Sequence, residues 1–535
     1  MNIKRLIVFT LSISILLGCT AAPQAMPQPT PEPVTTEPGT GSSPEAWWRD
    51  AIFYEIFVRS FYDTDGDGIG DFNGITQKID YIDSLGVNAI WLMPINPSPS
   101  YHGYDVTNYY AVNLDYGTKD DLKNLLNEAH KRDIRIIIDL VINHTASGHP
   151  FFQEANNKPN SEYRDWYVWS DSDLGIQWHE GNGGYYFGYF WGGMPDLNYR
   201  NPDVTEQMYE VTRYWLEYIG VDGFRVDAAK HLIEEGDVTE NTQSTHAWFK
   251  SYYTFHKSIN PDAYTVGEVF GAGAFIATTY EEQFDHVFNF EIASGIVNSV
   301  NGKSNTGITS AWKFTLKDID DGDYATFLTN HDQNRVMSVF NGDIDKAKLA
   351  AFMLLTSPGT PFIYYGEEIG MQGQKPDEDI RLPMQWNDDF NAGFTTGTPW
   401  RSPHESFADT NVALQDNDEN SLLNHYREMI ELRKEYSVLR TGKTILLETG
   451  NTGVYAILQS DGEQNMLVLV NLKDETISDY ELTMQESFLA DGVVTPATIF
   501  GSGESAQLTV SDGKFSDYKP LSELPPYSAY LFLIK

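Results

Sequence analysis

The chain has 535 residues, too many for a single hydrophobic core, so two or three domains are expected. It is 41% hydrophobic and 13% aromatic, which is typical of a globular protein. The chain has 36 Lys and Arg and 76 Asp and Glu, which gives a formal net charge of −40. Such an acidic surface repels phosphate backbones, so nucleic acid is not expected to be a partner.

The N-terminus is predicted to be a processing signal followed by a tether. Within residues 1–18, Lys4 and Arg5 precede an apolar run that is too short to span a bilayer. The run ends in Leu-Leu-Gly-Cys19, which resembles the lipobox of bacterial lipoproteins; an ordinary secretory signal with an incidental cysteine is the alternative. Residues 19–46 are rich in Pro and Thr and favour an extended tether. We therefore expect an extracytoplasmic protein, anchored to a membrane by lipid on Cys19.

Strand-like and helix-like segments alternate from residue 47 to residue 440. The apolar segments predicted as strands are 52–58, 89–93, 134–140, 223–227, 264–269, 286–290, 324–329 and 361–365. The clearest helical stretches between them are 122–132 and 346–355. Such alternation predicts an α/β protein with a (β/α)8 TIM barrel, in which ligands bind at the carboxyl ends of the strands.

Two further regions depart from the barrel pattern. Residues 145–202, after the third strand, contain 14 aromatic residues in 58 positions and are predicted to form an inserted domain. Its aromatic side chains are expected to serve both as its own core and as a wall on which sugars stack. Residues 441–535 contain segments with a period of two, at 454–458, 466–472 and 527–534, and are predicted to form a C-terminal antiparallel β-sandwich.

Three of the predicted barrel strands end in an acid. Asp227, Glu268 and Asp332 lie at positions where a side chain can face a ligand but packs poorly in a core. Paired carboxyl groups are the groups that hydrolyse glycosidic bonds. Arg225 is two residues before Asp227, so both point to one face of the strand and the guanidinium is expected to favour the Asp227 anion. Glu268 has no adjacent cation in the sequence and is expected to keep its proton longer.

A loop after the first strand has the spacing of a calcium site. The segment 63–71 offers four carboxylates at alternate positions and one backbone carbonyl, from Asp63, Asp65, Asp67, Asp71 and Ile69. Hard cations prefer 6–8 oxygen ligands, so the loop predicts bound Ca²⁺. The alternative is a turn of Gly and Asp that binds no ion.

Five motifs together resemble the α-amylase family of glycoside hydrolases. They are Asp-Leu-Val-Ile-Asn-His at 139–144, Met-Pro-Asp-Leu-Asn at 194–198, the segment 223–231, Gly-Glu-Val at 267–269 and Asn-His-Asp at 330–332. The resemblance covers residues 47–535 and departs mildly at Phe270, where many relatives carry Trp. It implies hydrolysis with retention of configuration, with Asp227 as nucleophile, Glu268 as acid/base and Asp332 as third carboxylate.

The resemblance also implies roles for residues around the three acids. The residues that it implies bind the substrate are His102, Tyr104, His144, Arg225, Lys230, His231, His331 and Arg381. Among them, Lys230 and His231 would contact the leaving-group side, and Arg381 the non-reducing side. A second Ca²⁺ site would use Asn143, Asp196 and the carbonyl of His231, clamping the insertion to the barrel.

The substrate expected from this resemblance is a starch-like glucan. Ala228 follows the expected nucleophile, where relatives that cleave α-1,6 bonds typically have Val. This favours endo-hydrolysis of α-1,4 bonds in starch, amylose or malto-oligosaccharides. The protein is expected to be a monomer. One alternative is an α-glucosidase or maltogenic enzyme acting on short malto-oligosaccharides. Another is a surface glycan-binding protein that has the fold without catalysis, and the complete set of acids argues against it.

Overall fold

A computed structural model describes residues 46–535 except 272, 320 and 321. The predicted signal segment, Cys19 and all but the last residue of the predicted tether lie outside the described residues. Within the described residues, no helix is both long and apolar enough to cross a bilayer.

The centre of the molecule is a parallel barrel, which confirms the predicted fold class. Its strands are Phe53–Ile56, Ala89–Leu92, Arg135–Leu140, Gly223–Val226, Tyr264–Gly267, His286–Val287, Ala325–Phe327 and Thr360–Tyr364. The first strand pairs with both the second and the eighth, and a bridge between Phe288 and Ala325 joins the sixth strand to the seventh. Side chains such as Phe53, Trp91 and Phe362 fill the interior, so the barrel is a packed core with its functional face at the strand ends.

Helices surround the barrel and connect its strands. The α-helices are Phe72–Gln77, Ile79–Leu85, Lys119–His130, Pro150–Asn157, Pro202–Arg213, Gln243–Ile259, Ala274–Thr278, Phe290–Gly302, Thr306–Asp318, Val336–Val339, Ile344–Leu355, Asp377–Ile380, Val412–Asp416, Leu422–Glu435 and Val438–Thr441. The helix predicted at 122–132 begins three residues earlier because Thr118 and Asp121 form a capping box around a polar first turn.

The insertion after the third strand is a small domain with its own aromatic core. Helix Pro150–Asn157 packs on a three-stranded antiparallel sheet formed by Trp169–Ser170, Trp178–Gly181 and Gly184–Phe187. Phe152, Tyr167 and Tyr186 are buried between them. Most of the aromatic side chains therefore stabilise the domain, and the segment 189–191 brings three others to the barrel face.

The C-terminal region is antiparallel. Its strands are Lys443–Leu446, Val454–Ser460, Asn465–Asn471, Leu482–Met484, Gly492–Val494, Ala497–Phe500, Leu508–Val510, Phe515–Tyr518 and Ala529–Ile534. Five of them form one sheet and the other four form two pairs that share a core with it, including Leu467, Leu482 and Leu508. The other face of the sheet contacts the barrel helices, where Trp312 Nε1 donates to Tyr455 Oη at 2.8 Å.

Candidate active site

A cavity of about 590 Å³ opens at the carboxyl ends of the barrel strands. Nine of the residues predicted for the site line it: His102, Tyr104, His144, Asp227, Lys230, His231, Glu268, Asp332 and Arg381. Arg225 and His331, which were expected to contact the sugar, do not line it. Both are buried and contact the carboxyl groups that line it.

Arg225 is the electrostatic centre of the site. Its Nη1 lies 2.6 Å from Asp227 Oδ1 and 2.9 Å from Asp139 Oδ1, and its Nη2 lies 2.9 Å from Glu268 Oε2. Arg225 contacts Asp227 as expected, and it also contacts Glu268, which has no adjacent cation in the sequence. The strands ending at Val226 and Gly267 are hydrogen-bonded neighbours, so one guanidinium reaches both acids although they are distant in sequence.

The two acids still differ in their surroundings. Burial raises the pKa of both carboxyls, and the charge of Arg225 opposes it in each. For Asp227 a hydrogen bond from Arg225 also lowers the pKa and the charge of Asp332 raises it, whereas for Glu268 the charges of Asp227 and Asp332 raise the pKa and a hydrogen bond from the Ala228 N–H lowers it. The contact of Arg225 is shorter with Asp227, at 2.6 Å, than with Glu268, at 2.9 Å, so Arg225 favours the Asp227 anion, and that anion opposes a second negative charge on Glu268.

The third acid is held in the ionised form. Burial alone would raise the pKa of Asp332, but His331 and Arg381 outweigh it and lower the pKa below its usual value. Arg381 Nη2 donates to Asp332 Oδ1 at 2.9 Å, and its Nε donates to the carbonyl of His331 at 2.9 Å. His331 in turn lies 2.5 Å from Glu55 and 2.7 Å from the hydroxyl of Tyr104.

The cavity wall near Tyr104 is fixed by hydrogen bonds. The Tyr104 N–H donates to His102 Nδ1 at 3.1 Å, and its hydroxyl donates to Asp139 at 3.1 Å. His144 Nε2 lies 3.2 Å from the Tyr104 carbonyl, and burial lowers the pKa of His144 to about 4. His144 is therefore neutral at ordinary pH and can both donate and accept hydrogen bonds.

The segment after Asp227 turns sharply towards Glu268. Ala228 adopts a left-handed conformation with φ of 48°, and its N–H donates to Glu268 Oε2 at 3.0 Å. Lys230, the next cation along the chain, pairs with Glu240 at 2.7 Å. His231 stacks on Tyr189 with ring centroids 3.8 Å apart, which joins this turn to the inserted domain.

Sequence reasoning assigned no role to two buried acids, Glu55 and Asp139, although Asp139 begins the motif at 139–144. Each lies inside an apolar barrel strand, a position where a charge is expensive unless it has a partner, and that placement was a usable signal. Their partners are His331 and Arg225, and burial raises the pKa of Asp139 to about 7 despite Arg225. The cavity also includes lining residues to which the sequence analysis assigned no role: Tyr189, Phe190, Trp191, Met194, Phe270, Lys375 and Asp377.

The loop 63–71 brings together three of its four carboxylates. One oxygen each from Asp63, Asp65 and Asp71 lies within 4.8 Å of the others, an arrangement that suits a hard cation. Asp67 is outside this group and accepts the Ile69 N–H at 2.8 Å, so it shapes the turn. Asp71 also caps helix Phe72–Gln77 through the Gly74 N–H.

The residues predicted for the second calcium site meet between the insertion and the barrel. Asn143 and Asp196 are buried, and Asn143 Oδ1 and Asp196 Oδ2 have no hydrogen-bond partner among the described residues. The other oxygen of Asp196 accepts the Tyr189 N–H at 3.1 Å, and Tyr189 stacks on His231. A bridge between His144 and Asp196 and the hydrogen bond from the Leu197 N–H to the Asn143 carbonyl bring the two residues together, and their unpartnered buried oxygens fit an oxygen-binding cation.

Comparisons with known proteins agree with this geometry. The family model described as the alpha amylase catalytic domain matches residues 55–442. The chain is 44% identical over 440 residues to Alpha-amylase 3 of Dictyoglomus thermophilum, covering 80% of this chain and 86% of that protein. It is 33% identical over 522 residues to an oligo-1,6-glucosidase of Heyndrickxia coagulans, covering 81% and 93%.

Solved structures extend the likeness to the whole described fold. The crystal structure of the alpha-amylase from H. orenii matches with a TM-score of 0.79 at 39% identity, covering 91% of this chain and 99% of that one. A trehalose-6-phosphate hydrolase from Bacillus licheniformis matches with a TM-score of 0.78 at 28% identity, covering 92% and 100%. With the acids at the strand ends and a family match across the barrel, the chain belongs to the alpha-amylase family of retaining glycoside hydrolases.

Proposed function

We propose that the protein is an α-amylase that cleaves α-1,4-glucosidic bonds within starch-like glucans and retains the anomeric configuration. The observation that supports this most directly is the pair Asp227 and Glu268, held on one guanidinium at the ends of adjacent strands. Retention requires two carboxyl groups roughly 5 Å apart, one ionised and one protonated. Arg225 keeps the two close, and their unequal surroundings separate their protonation states.

Each acid has one task in the proposed mechanism. The Asp227 carboxylate attacks the anomeric carbon while Glu268 gives its proton to the leaving oxygen, so a glycosyl ester forms and the glycosidic bond breaks. Glu268 then takes a proton from water, which attacks the same carbon and releases Asp227. Asp332, kept anionic by Arg381 and His331, binds sugar hydroxyls and favours distortion of the ring.

A glucosidase acting on short oligosaccharides is the second candidate, because several relatives are named oligo-1,6-glucosidases. Ala228 favours α-1,4 cleavage, because relatives that cleave α-1,6 bonds typically have Val there, and Ala228 lines the cavity beside Glu268. The two candidates share one mechanism and differ in the substrate.

The products from amylose, pullulan and maltotriose decide between the candidates. The proposed enzyme rapidly shortens amylose, leaves the α-1,6 bonds of pullulan intact and releases the α-anomer first. Release of single glucose units from maltotriose with amylose untouched would assign the glucosidase. Release of the β-anomer would contradict retention.

We also propose that the protein binds two calcium ions that stabilise it without taking part in the chemistry. Asp63, Asp65 and Asp71 would hold one ion, and Asn143 and Asp196 with the carbonyl of His231 would hold the other. Both sets offer the oxygen ligands that Ca²⁺ prefers. Metal analysis of protein purified without chelator tests this, and a preparation with no calcium would contradict it.

The N-terminal segment supports a proposed location outside the cytoplasm. The apolar run before Cys19 and the Pro-rich residues behind it favour attachment of the protein to a membrane by lipid. Mass spectrometry of the mature protein should find diacylglycerol on an N-terminal Cys19. An unmodified N-terminus beyond Cys19 would contradict the anchor.

A further inference from the structure

Glu55 is a carboxyl group inside the barrel, where a charge is costly unless it has a partner. It lies on the first strand, Phe53–Ile56, and is 1% exposed. Phe53, two residues earlier, belongs to the core of the barrel interior, so Glu55 points to the same side. Its Oε1 lies 2.5 Å from Nδ1 of His331, which is fully buried in the loop after the seventh strand. The two side chains therefore form a buried pair directly beneath the cavity.

Both ring nitrogens of His331 face acceptors. Nδ1 faces Glu55, and Nε2 lies 2.7 Å from Tyr104 Oη and 3.4 Å from Asp332 Oδ2. The Tyr104 hydroxyl has a single proton and donates it to Asp139 at 3.1 Å, so it accepts a hydrogen bond from Nε2. A histidine that donates from both nitrogens is an imidazolium, so the geometry requires a charged ring.

The charges around His331 agree with the protonated form. The titratable and charged groups that face the ring from the surrounding elements are Glu55, Asp332, Arg381, Tyr104, Asp139 and Asp227. Arg225 pairs with the last two and Arg381 with Asp332, whereas among the ion pairs of the described residues Glu55 has only His331. Burial lowers the pKa of His331, but the negative charges of Asp332 and Glu55 outweigh it and raise the pKa above its usual value.

We propose that Glu55 is a positioning residue for catalysis, whose carboxylate holds the imidazolium of His331 against Asp332. The same contact directs the Tyr104 hydroxyl to Asp139. The inference rests on the proposed function, because it concerns the carboxylate that favours distortion of the sugar ring. Burial raises the pKa of Asp332, and the charge of His331 is the largest of the effects that lower it. Without Glu55, His331 loses its proton at lower pH and Asp332 then loses a positive neighbour.

The pH dependence of ester formation from α-glucosyl fluoride tests this role. Fluoride departs without a proton from Glu268, so the titration of that acid does not limit the step on the alkaline side. Glu55→Gln removes the charge but keeps the size of the side chain. In single-turnover measurements its rate should stay within about 2-fold of wild type at acid pH. On the alkaline side the rate should be about 10-fold lower, because the alkaline limb moves to lower pH by about one unit.

The chain offers a matched control in Glu368. This carboxyl is also fully buried, and it accepts hydrogen bonds from Tyr54 at 2.7 Å and from Tyr81 at 2.6 Å. Glu368→Gln makes the same change in a buried acid and should leave the pH profile unmoved, whatever its effect on the melting temperature. Glu55→Asp keeps the charge and should restore most of the alkaline limb. A wild-type profile in Glu55→Gln, or an equal shift in Glu368→Gln, would overturn the inference.

A second measurement requires no change at Glu55. In NMR spectra of wild type labelled on the histidine nitrogens, both ring nitrogens of His331 should have the chemical shifts of an imidazolium at the pH optimum. The signals are assigned by their loss in His331→Gln. A neutral ring would overturn the inference even where Glu55→Gln does not fold. A wild-type enzyme that acts on α-glucosyl fluoride but leaves amylose intact would instead overturn the proposed function, and both tests of Glu55 would still apply.

Discussion

The floor and the rim of the cavity differ in burial and in charge. The floor, defined as Asp139, Arg225, Asp227 and Glu268, is buried, and Arg225 lies within 2.9 Å of each of the three carboxyl groups. The aromatic rim, defined as Phe190, Trp191 and Phe270, is about half exposed, and Phe190 and Phe270 contact other rings. Charges that act in a reaction must be positioned before the substrate arrives, whereas a surface that binds neutral rings needs only shape and apolar area. Changes in the floor should therefore affect the chemical step, and changes in the rim should affect which bond is cleaved.

The largest expected effect is that of Asp227→Asn. The change is nearly isosteric but removes the attacking anion, so the loss of kcat should exceed the roughly 10²–10⁴-fold expected from losing proton transfer alone. The loss should be as large with α-glucosyl fluoride as with maltoheptaose. An unchanged melting temperature provides the control for folding, and substantial residual turnover would assign the nucleophile elsewhere.

Glu268→Gln should have a smaller effect that depends on the leaving group. Without a proton donor, cleavage of maltoheptaose should slow by about 10²–10⁴-fold. Fluoride departs without protonation, so formation of the glycosyl ester from α-glucosyl fluoride should be much less affected. The ratio of the two rates in single-turnover measurements is the readout, and equal losses would mean that Glu268 positions the substrate instead.

Calcium removal should affect the aromatic rim more than the floor. Asp196 accepts a hydrogen bond from Tyr189, next to Phe190 and Trp191, whereas no backbone hydrogen bond among the described residues joins the loop at 63–71 to residues 189–191. A ligand of the folded state adds RT ln(1 + [L]/Kd) to stability, so EGTA should lower the melting temperature. Asp65→Ala and Asp196→Ala should each reduce this calcium-dependent shift. Only Asp196→Ala should also alter the cleavage pattern of maltoheptaose.

The floor of the cavity was more predictable from the sequence than the aromatic rim. Asp227 and Glu268 directly follow apolar strands and Asp332 lies in the loop after one, so the period of the sequence and the barrel topology are enough to place them together. Arg225 contacts both Asp227 and Glu268 because the strands before these two acids are paired. A local sequence pattern does not show which strands pair, so this contact could not be predicted. The position of Trp191 depends on an inserted loop that is held by hydrogen bonds from Tyr186 and Ser147. The aromatic-rich sequence therefore predicted a surface for sugars but did not indicate which aromatic residues form it.

The smallest expected effect concerns the protonation of Asp139 in the floor. Its pKa is raised from 3.8 to about 7 by burial, so between these values the folded protein keeps a proton that the unfolded chain has released. The stability contributed by this group is therefore complete below about pH 4 and declines as the pH rises towards 7. Asp139→Asn resembles the protonated form and cannot titrate. Its melting temperature should match wild type at pH 5 and exceed it by a few degrees at pH 8. A variant that is less stable than wild type by the same amount at both values would show that Asp139 is ionised beside Arg225.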